Sequence, residues 1–167
     1  MTKKYLFIDN LQYSNWSPKI FEEMKEGNLS AVHVTIYYHE NFRQTIENII
    51  NWNKNVELYP NRLVIAKNAH DVRTAYEKNK TAIIFGIQNC SPIEENIGLI
   101  EVLHKLGVRF MQLSYNNQSL LATGCYERTD NGITRFGKQV IKEMNRVGLV
   151  VDVSHTSEKS SFDAIRY

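Results

Sequence analysis

GVRFMQLSYNN at 107–117, a polar loop, GITRFGKQVIKEMNRVG at 132–148 and LVVDVSHTS at 149–157 decide the fold. The first segment predicts a strand over 108–113, rich in apolar and β-forming residues and closed by Ser114, Tyr115, Asn116 and Asn117. The second predicts a helix over 135–147 that sets Phe136, Val140, Ile141 and Met144 on one face and stops at Gly148. The third predicts a strand over 149–153, with Asp152 and His155 at its exit. Strand, helix, strand in this order is the unit of a parallel sheet, whose chemistry collects at the carboxyl ends of the strands.

The same alternation continues toward the N-terminus. Tyr5 to Ile8 predicts a first strand closed by Asp9 and Asn10. Ser17 before Pro18 predicts a capped helix start, with the helix ending near Gly27 and Asn28. AVHVTIYY at 31–38 predicts a second strand, in whose alternation His33, Thr35, Tyr37 and His39 share one face. A helix follows from Asn41 to about Trp52, then a brief extended piece at 63–66 and an exposed helix at 71–79, both read as connectors. TAIIFGI at 81–87 is the near-continuous apolar strand of a doubly covered sheet, emptying into Gln88, Asn89 and Cys90. After Pro92, Ile93, Ile97, Ile100, Leu103 and Leu106 predict a helix stopped by Gly107, and Thr156 or Ser157 caps a last one. Two architectures compete, an open doubly wound sheet and part of a closed eight-stranded barrel. No glycine-rich phosphate loop follows a strand, and exits rich in Asn, Gln, Tyr and His suit a barrel mouth better.

With 167 residues, 43% of them hydrophobic and 23% charged, the chain has the make-up of one soluble domain with a real core. A net charge of +2, without a basic run, argues against a nucleic-acid partner. The basic start MTKK precedes an apolar run too short for a signal peptide, and no window approaches a membrane span. Cys90 and Cys125 form neither a CxxC pair nor a disulfide framework, which points to reduced thiols and a cytoplasmic location.

The strand exits supply the candidate site: Asp9 and Asn10, His39, Gln88 and Asn89, Tyr115 and Asn116, and Asp152 with His155. In a barrel they converge on one mouth. His155 reads either as a metal ligand or proton shuttle, or as a wall residue capping the next helix. Asp152, three positions earlier, is read as satisfying backbone N–H groups rather than orienting that imidazole. His33 reads as a satisfied core histidine, Glu94 and Glu95 as residues at a helix start, and Cys90 as a partly buried, inert thiol.

Taken together, GVRFMQLSYNN and GITRFGKQVIKEMNRVGLVVDVSHTS resemble the membrane (renal) dipeptidase family of metallopeptidases, peptidase family M19. That family carries an LGVRY-type strand, a GLT-FG helix start, an EMNRLG helix end and a D-S-H strand end in this order. FIDN at 7–10 and IIFGIQN at 83–89 are the counterparts of its first and third strands. The resemblance implies the α/β class and the (β/α)8 barrel of metal-dependent hydrolases, of which 1–167 would supply about the first five units as one partial barrel. It further implies a binuclear zinc centre and hydrolysis of dipeptides by a metal-bridging hydroxide. Residue by residue, the family's opening D-G-H-x-D falls on Asp9, Asn10, Leu11, Gln12 and Tyr13, without the ligand histidine and the second aspartate. Its bridging glutamate falls on Gln88 and its substrate-orienting histidine on Tyr115, while His155 alone keeps the family's ligand type. Three readings stay open: a zinc dipeptidase with most matching ligands replaced, a non-catalytic relative binding a small dipeptide-like polar ligand, and an inactive fragment of a longer chain. An unclosed sheet further implies a partner, either a second copy or a missing C-terminal half.

Overall fold

A computed structural model describes residues 5–167; the start MTKK at 1–4 lies outside the described part. Six strands, β1 (Phe7–Gln12), β2 (Leu29–Tyr37), β3 (Leu63–Ile65), β4 (Thr81–Ile87), β5 (Val108–Gln112) and β6 (Val150–Asp152), form one parallel sheet. Six helices connect and cover them: α1 (Pro18–Glu26), α2 (Phe42–Leu58), α3 (Ala69–Glu77), α4 (Gly98–Lys105), α5 (Arg135–Val147) and α6 (Glu158–Ile165). The strand order is β1-β2-β4-β5-β6, and β3 lies beside the first half of β4 while β5 pairs with its second half. The result is a half-barrel of the α/β class, as the strand–helix alternation predicts.

The two faces of the sheet are chemically distinct because side chains alternate along each strand. Val32, Val34, Ile83, Phe85 and Met111 point outward and pack with Phe21 of α1, Trp52 of α2, Leu103 of α4 and Met144 of α5 in the main core. The opposite, concave face begins with a small cluster of Ala31, Ala66, Val72, Ala75 and Ala82. There α3 packs Val72 and Ala75 against the amino-terminal ends of β2 and β4, while Arg73, Glu77, Lys78 and Asn79 stay exposed, so the segment 71–79 is half-buried. Two small faces, alanines on both sides, let the helix approach the sheet closely.

Caps set most boundaries. Ser17 accepts from Ile20 N–H before Pro18, Asn41 and Gln44 form a reciprocal capping box, and Thr134 and Ser157 cap α5 and α6. Gly148 ends α5 with φ 82°. Three expectations need correction. β1 does not close at Asp9 but continues to Gln12, because pairing with β2 carries it across a register shift at Leu11, where φ is 58°. The helix after Pro92 is interrupted: a 3-10 turn at Ser91–Ile93 ends on Glu94 with φ 51°, and α4 starts only at Gly98, so Glu94 is not at its first turn. Tyr37 leaves the face of His33 and Thr35 for the main core, through a register shift between Thr35 and Tyr37.

On the concave face above the alanine layer, Gly86 of β4 gives way to the His33 ring. A Cβ built on Gly86 would stand 1.5 Å from His33 Nε2. Gly86→Ala is therefore expected to destabilise the chain by about 1–3 kcal/mol through overpacking. Urea unfolding should show this loss largely recovered in the Gly86→Ala, His33→Ala double variant.

Candidate active site at the strand exits

The first set of site residues is a polar layer on the concave face, buried at His33, Thr35, Gln88 and Gln112 and half-buried to exposed at Asp152 and Asn10. His33 is 1% exposed, donates from Nδ1 to Asn10 Oδ1 at 2.6 Å, and lies 4.3 Å from the Phe110 ring. That bond fixes the tautomer: Nδ1 carries the proton and Nε2 keeps its lone pair. Nε2 has no partner among the described residues, so only one of the two nitrogens of this core histidine is satisfied. Burial pushes its pKa down to about 4, with the Asp152 carboxylate opposing. Gln88 of the β4 exit is also buried, and its Nε2 donates to Thr35 Oγ1 at 2.7 Å. Gln112 Nε2 reaches Asp152 Oδ2 at 3.4 Å, while Asp152 Oδ1 accepts from Ser154 N–H at 2.8 Å, the backbone role expected for it. Asp9 is taken up by the side-chain amide of Gln12.

A second set forms the rim. Tyr115 stacks on His155 at 4.1 Å and 25°, and Tyr38 meets Tyr115 at 4.3 Å. His155 donates from Nδ1 to Asn116 Oδ1 at 2.8 Å, and both residues have φ of 61°. The long loop fixes this pair, since Cys125 N–H donates to His155 O and Tyr126 N–H to Asn116 O. Across the rim, Asn89 Nδ2 approaches His39 Nδ1 at 3.5 Å, and Glu40 Oε2 accepts from the Tyr38 and His39 N–H groups. Burial works against ionisation of Glu40, but these backbone donors outweigh it and hold its pKa below the ordinary value. Tyr38 is pushed up to about 12, first by lost hydration and then by the Tyr115 phenol. A cleft of about 570 Å³ opens here, lined by His39, Asn89, Tyr115, Asn117, Gln118 and Ser119. Cys90 on its wall is 2% exposed, and burial raises its pKa, so it stays a thiol.

The exit residues thus separate into an inner group with Asn10, Gln88 and Asp152 and a rim with His39, Asn89, Tyr115, Asn116 and His155, while Asp9 turns to the α1 side of the sheet, beside Gln12, Trp16, Met24 and Val32, and does not join the mouth. Thr35, Tyr38, Glu40 and Gln112 were not among the expected site residues. Tyr38 and Glu40 flank His39 at a strand end and were legible there; Gln112 sits inside an apolar strand, and only its partner Asp152 shows which face it takes. Among the described residues no group of three or more His, Cys, Asp or Glu side chains is placed to hold a metal ion, and no helix is long and apolar enough to cross a membrane.

The model of the membrane dipeptidase family, peptidase family M19, matches residues 9–167. The chain belongs to this family. Dipeptidase tcpJ of Claviceps purpurea is 29% identical over 130 residues, which are 77% of this chain and 31% of that protein. A solved amidohydrolase of Pseudomonas aeruginosa is 38% identical with a TM-score of 0.92, covering 96% of this chain and 49% of that one. Dipeptidase AC, an M19 metallopeptidase, superposes with a TM-score of 0.86 at 17% identity, a likeness of fold. This M19 chain therefore spans about half the length of its solved neighbour and less of the curated relative.

The lowered His33 pKa predicts a pH effect with a definite sign. A histidine depressed from 6.5 to about 4 contributes stability that is fully present above pH 6.5 and is lost as pH falls toward 4. The loss should reach about 3 kcal/mol by pH 4. Denaturant unfolding of the wild type and of His33→Gln across this window should show the steeper decline in the wild type.

Proposed function

We propose that the mouth of this chain binds a small, polar, dipeptide-like ligand through amide, phenol and imidazole groups, and that its residues do not by themselves carry dipeptide hydrolysis on a zinc pair. The observation that carries this reading is Gln88, which stands at the family's bridging carboxylate and spends its amide N–H on Thr35 Oγ1 at 2.7 Å. A neutral amide tied to a hydroxyl is a poor partner for zinc, which prefers thiolate, imidazole and carboxylate. Leu11 and Tyr13 bring no donor of that kind, Asp9 is engaged by Gln12, and so the donor set of these residues does not fit two zinc ions. The dipeptidase relatives support the ligand class, and the cleft between Asn89, Asn117, Gln118 and Tyr115 supports its polarity.

A second reading, metal-dependent hydrolysis by a longer chain, is favoured by His155. Its Nδ1–H is held by Asn116, which leaves Nε2 with a lone pair, the state in which imidazole ligates a metal. Under either reading the unit is a single partial barrel over 1–167. Its open edges at β1 and β6 are covered by further strands or by a second copy. The free thiols Cys90 and Cys125 support a reducing, cytoplasmic setting.

Elemental analysis of the purified chain and a dipeptide panel with added zinc test the proposal. The expected result is less than one zinc per chain, no turnover, and saturable dipeptide binding. His155→Ala or Tyr115→Ala should weaken that binding by about tenfold, the loss of one stacking or hydrogen-bonding partner. Stoichiometric zinc with turnover would overturn the non-catalytic reading.

A further inference from the structure

A second cavity adjoins the mouth, shares Thr35, Tyr38 and Glu40 with it, and lies between the β1–α1 loop, the end of β2 and α2. It measures about 310 Å³, within the range that takes small ligands. One wall is aromatic: Tyr13 is 74% exposed with its ring 6.1 Å from Tyr38, and Trp16 packs edge-on to Trp52 at 5.0 Å. The facing wall belongs to α2, where Asn48, Asn51 and Asn55 fall at positions i, i+3 and i+7 and therefore on one side of the helix. Asn48 Nδ2 donates to Ile36 O at 2.9 Å, which turns its Oδ1 away as an acceptor. The side chains of Asn51 and Asn55 make no hydrogen bond among the described residues, so each offers a donor and an acceptor. Glu40 also lines the cavity, and the backbone donors that bind it keep it ionised at neutral pH.

We infer that this cavity is a binding site for a neutral saccharide of one or two rings. The exposed ring of Tyr13, beside the half-buried Trp16 and Tyr38, can take the C–H face of a sugar ring, and paired amide donors and acceptors match the alternating roles of neighbouring hydroxyls. The amides span two turns of helix, about 10 Å, which is longer than one ring. A cation is the poorer match. Among the described lining residues the only charge is Glu40, and its Oε2 already faces two backbone N–H groups. Sequence alone hides this site, because Tyr13 and Trp16 precede α1 while the amides lie more than thirty residues on, spread through a helix that reads as merely polar on that side.

The chain carries two tryptophans, Trp16 and Trp52, and both line this cavity, so their emission reports it directly. Fluorescence titration with cellobiose, di-N-acetylchitobiose, glycylglycine and tetramethylammonium chloride tests the inference. A neutral saccharide should give a saturable change, and neither glycylglycine nor the ammonium salt should. The Asn51→Ala, Asn55→Ala double variant should bind that saccharide about tenfold more weakly. Asn51 is exposed and Asn55 partly so, and circular dichroism is expected to report the wild-type fold. Absence of a saturable change with both saccharides, a change with the ammonium salt or the dipeptide instead, or unaltered affinity in the double variant would overturn it. Because the mouth cleft holds no tryptophan, failure here is separable from failure of the ligand site at Tyr115.

Discussion

His33 lies across Gly86 with Asn10 at one end of its ring and Phe110 against its face, so one side chain indexes β1, β2, β4 and β5 against each other. A parallel sheet slipped by one residue exchanges its inner and outer faces, and the polar layer would then face the helices. The fit over Gly86 admits one register, since any neighbouring position would set a Cβ against the imidazole. Above it the polar layer consists of two separate pairs, Gln88 with Thr35 and Gln112 with Asp152.

Such a layer has a cost. His33 Nε2, Gln112 Oε1 and Ser114 Oγ are buried without partners among the described residues, each at about 1–3 kcal/mol by general experience. Unsatisfied groups concentrate where a fold serves something other than stability. Here they sit directly beneath the rim of Tyr38, Tyr115 and His155, and the outward core of Phe21, Trp52, Phe85 and Met144 supplies the rigidity that tolerates them.

The rim itself combines phenols and amides with the imidazoles of His39 and His155. Its order comes from backbone geometry as much as from side chains. Asn116 and His155 both adopt φ of 61°, and the long loop closes on them through Cys125 and Tyr126. Tyr38 joins this mouth to the neighbouring cavity, because one ring lies 4.3 Å from Tyr115 and 6.1 Å from Tyr13.

Much of this was legible in the chain itself. Strand–helix alternation, the caps at Ser17 and Ser157 and the stop at Gly148 are local consequences of residue chemistry, and the stretch from Gly107 to Ser157 carried the family. What the sequence could not decide were contacts between distant residues. The continuation of β1 to Gln12, the placing of Tyr37 in the core and the seating of α3 on Ala31 and Ala82 each depend on partners that compete with local propensity. The pairing of His33 with Asn10 and of Gln112 with Asp152 spans 23 and 40 positions. Local spacing determines which elements form, because caps and periodicity act within a few residues; only tertiary packing decides which polar atoms are left over, because that depends on what the sheet brings to each face.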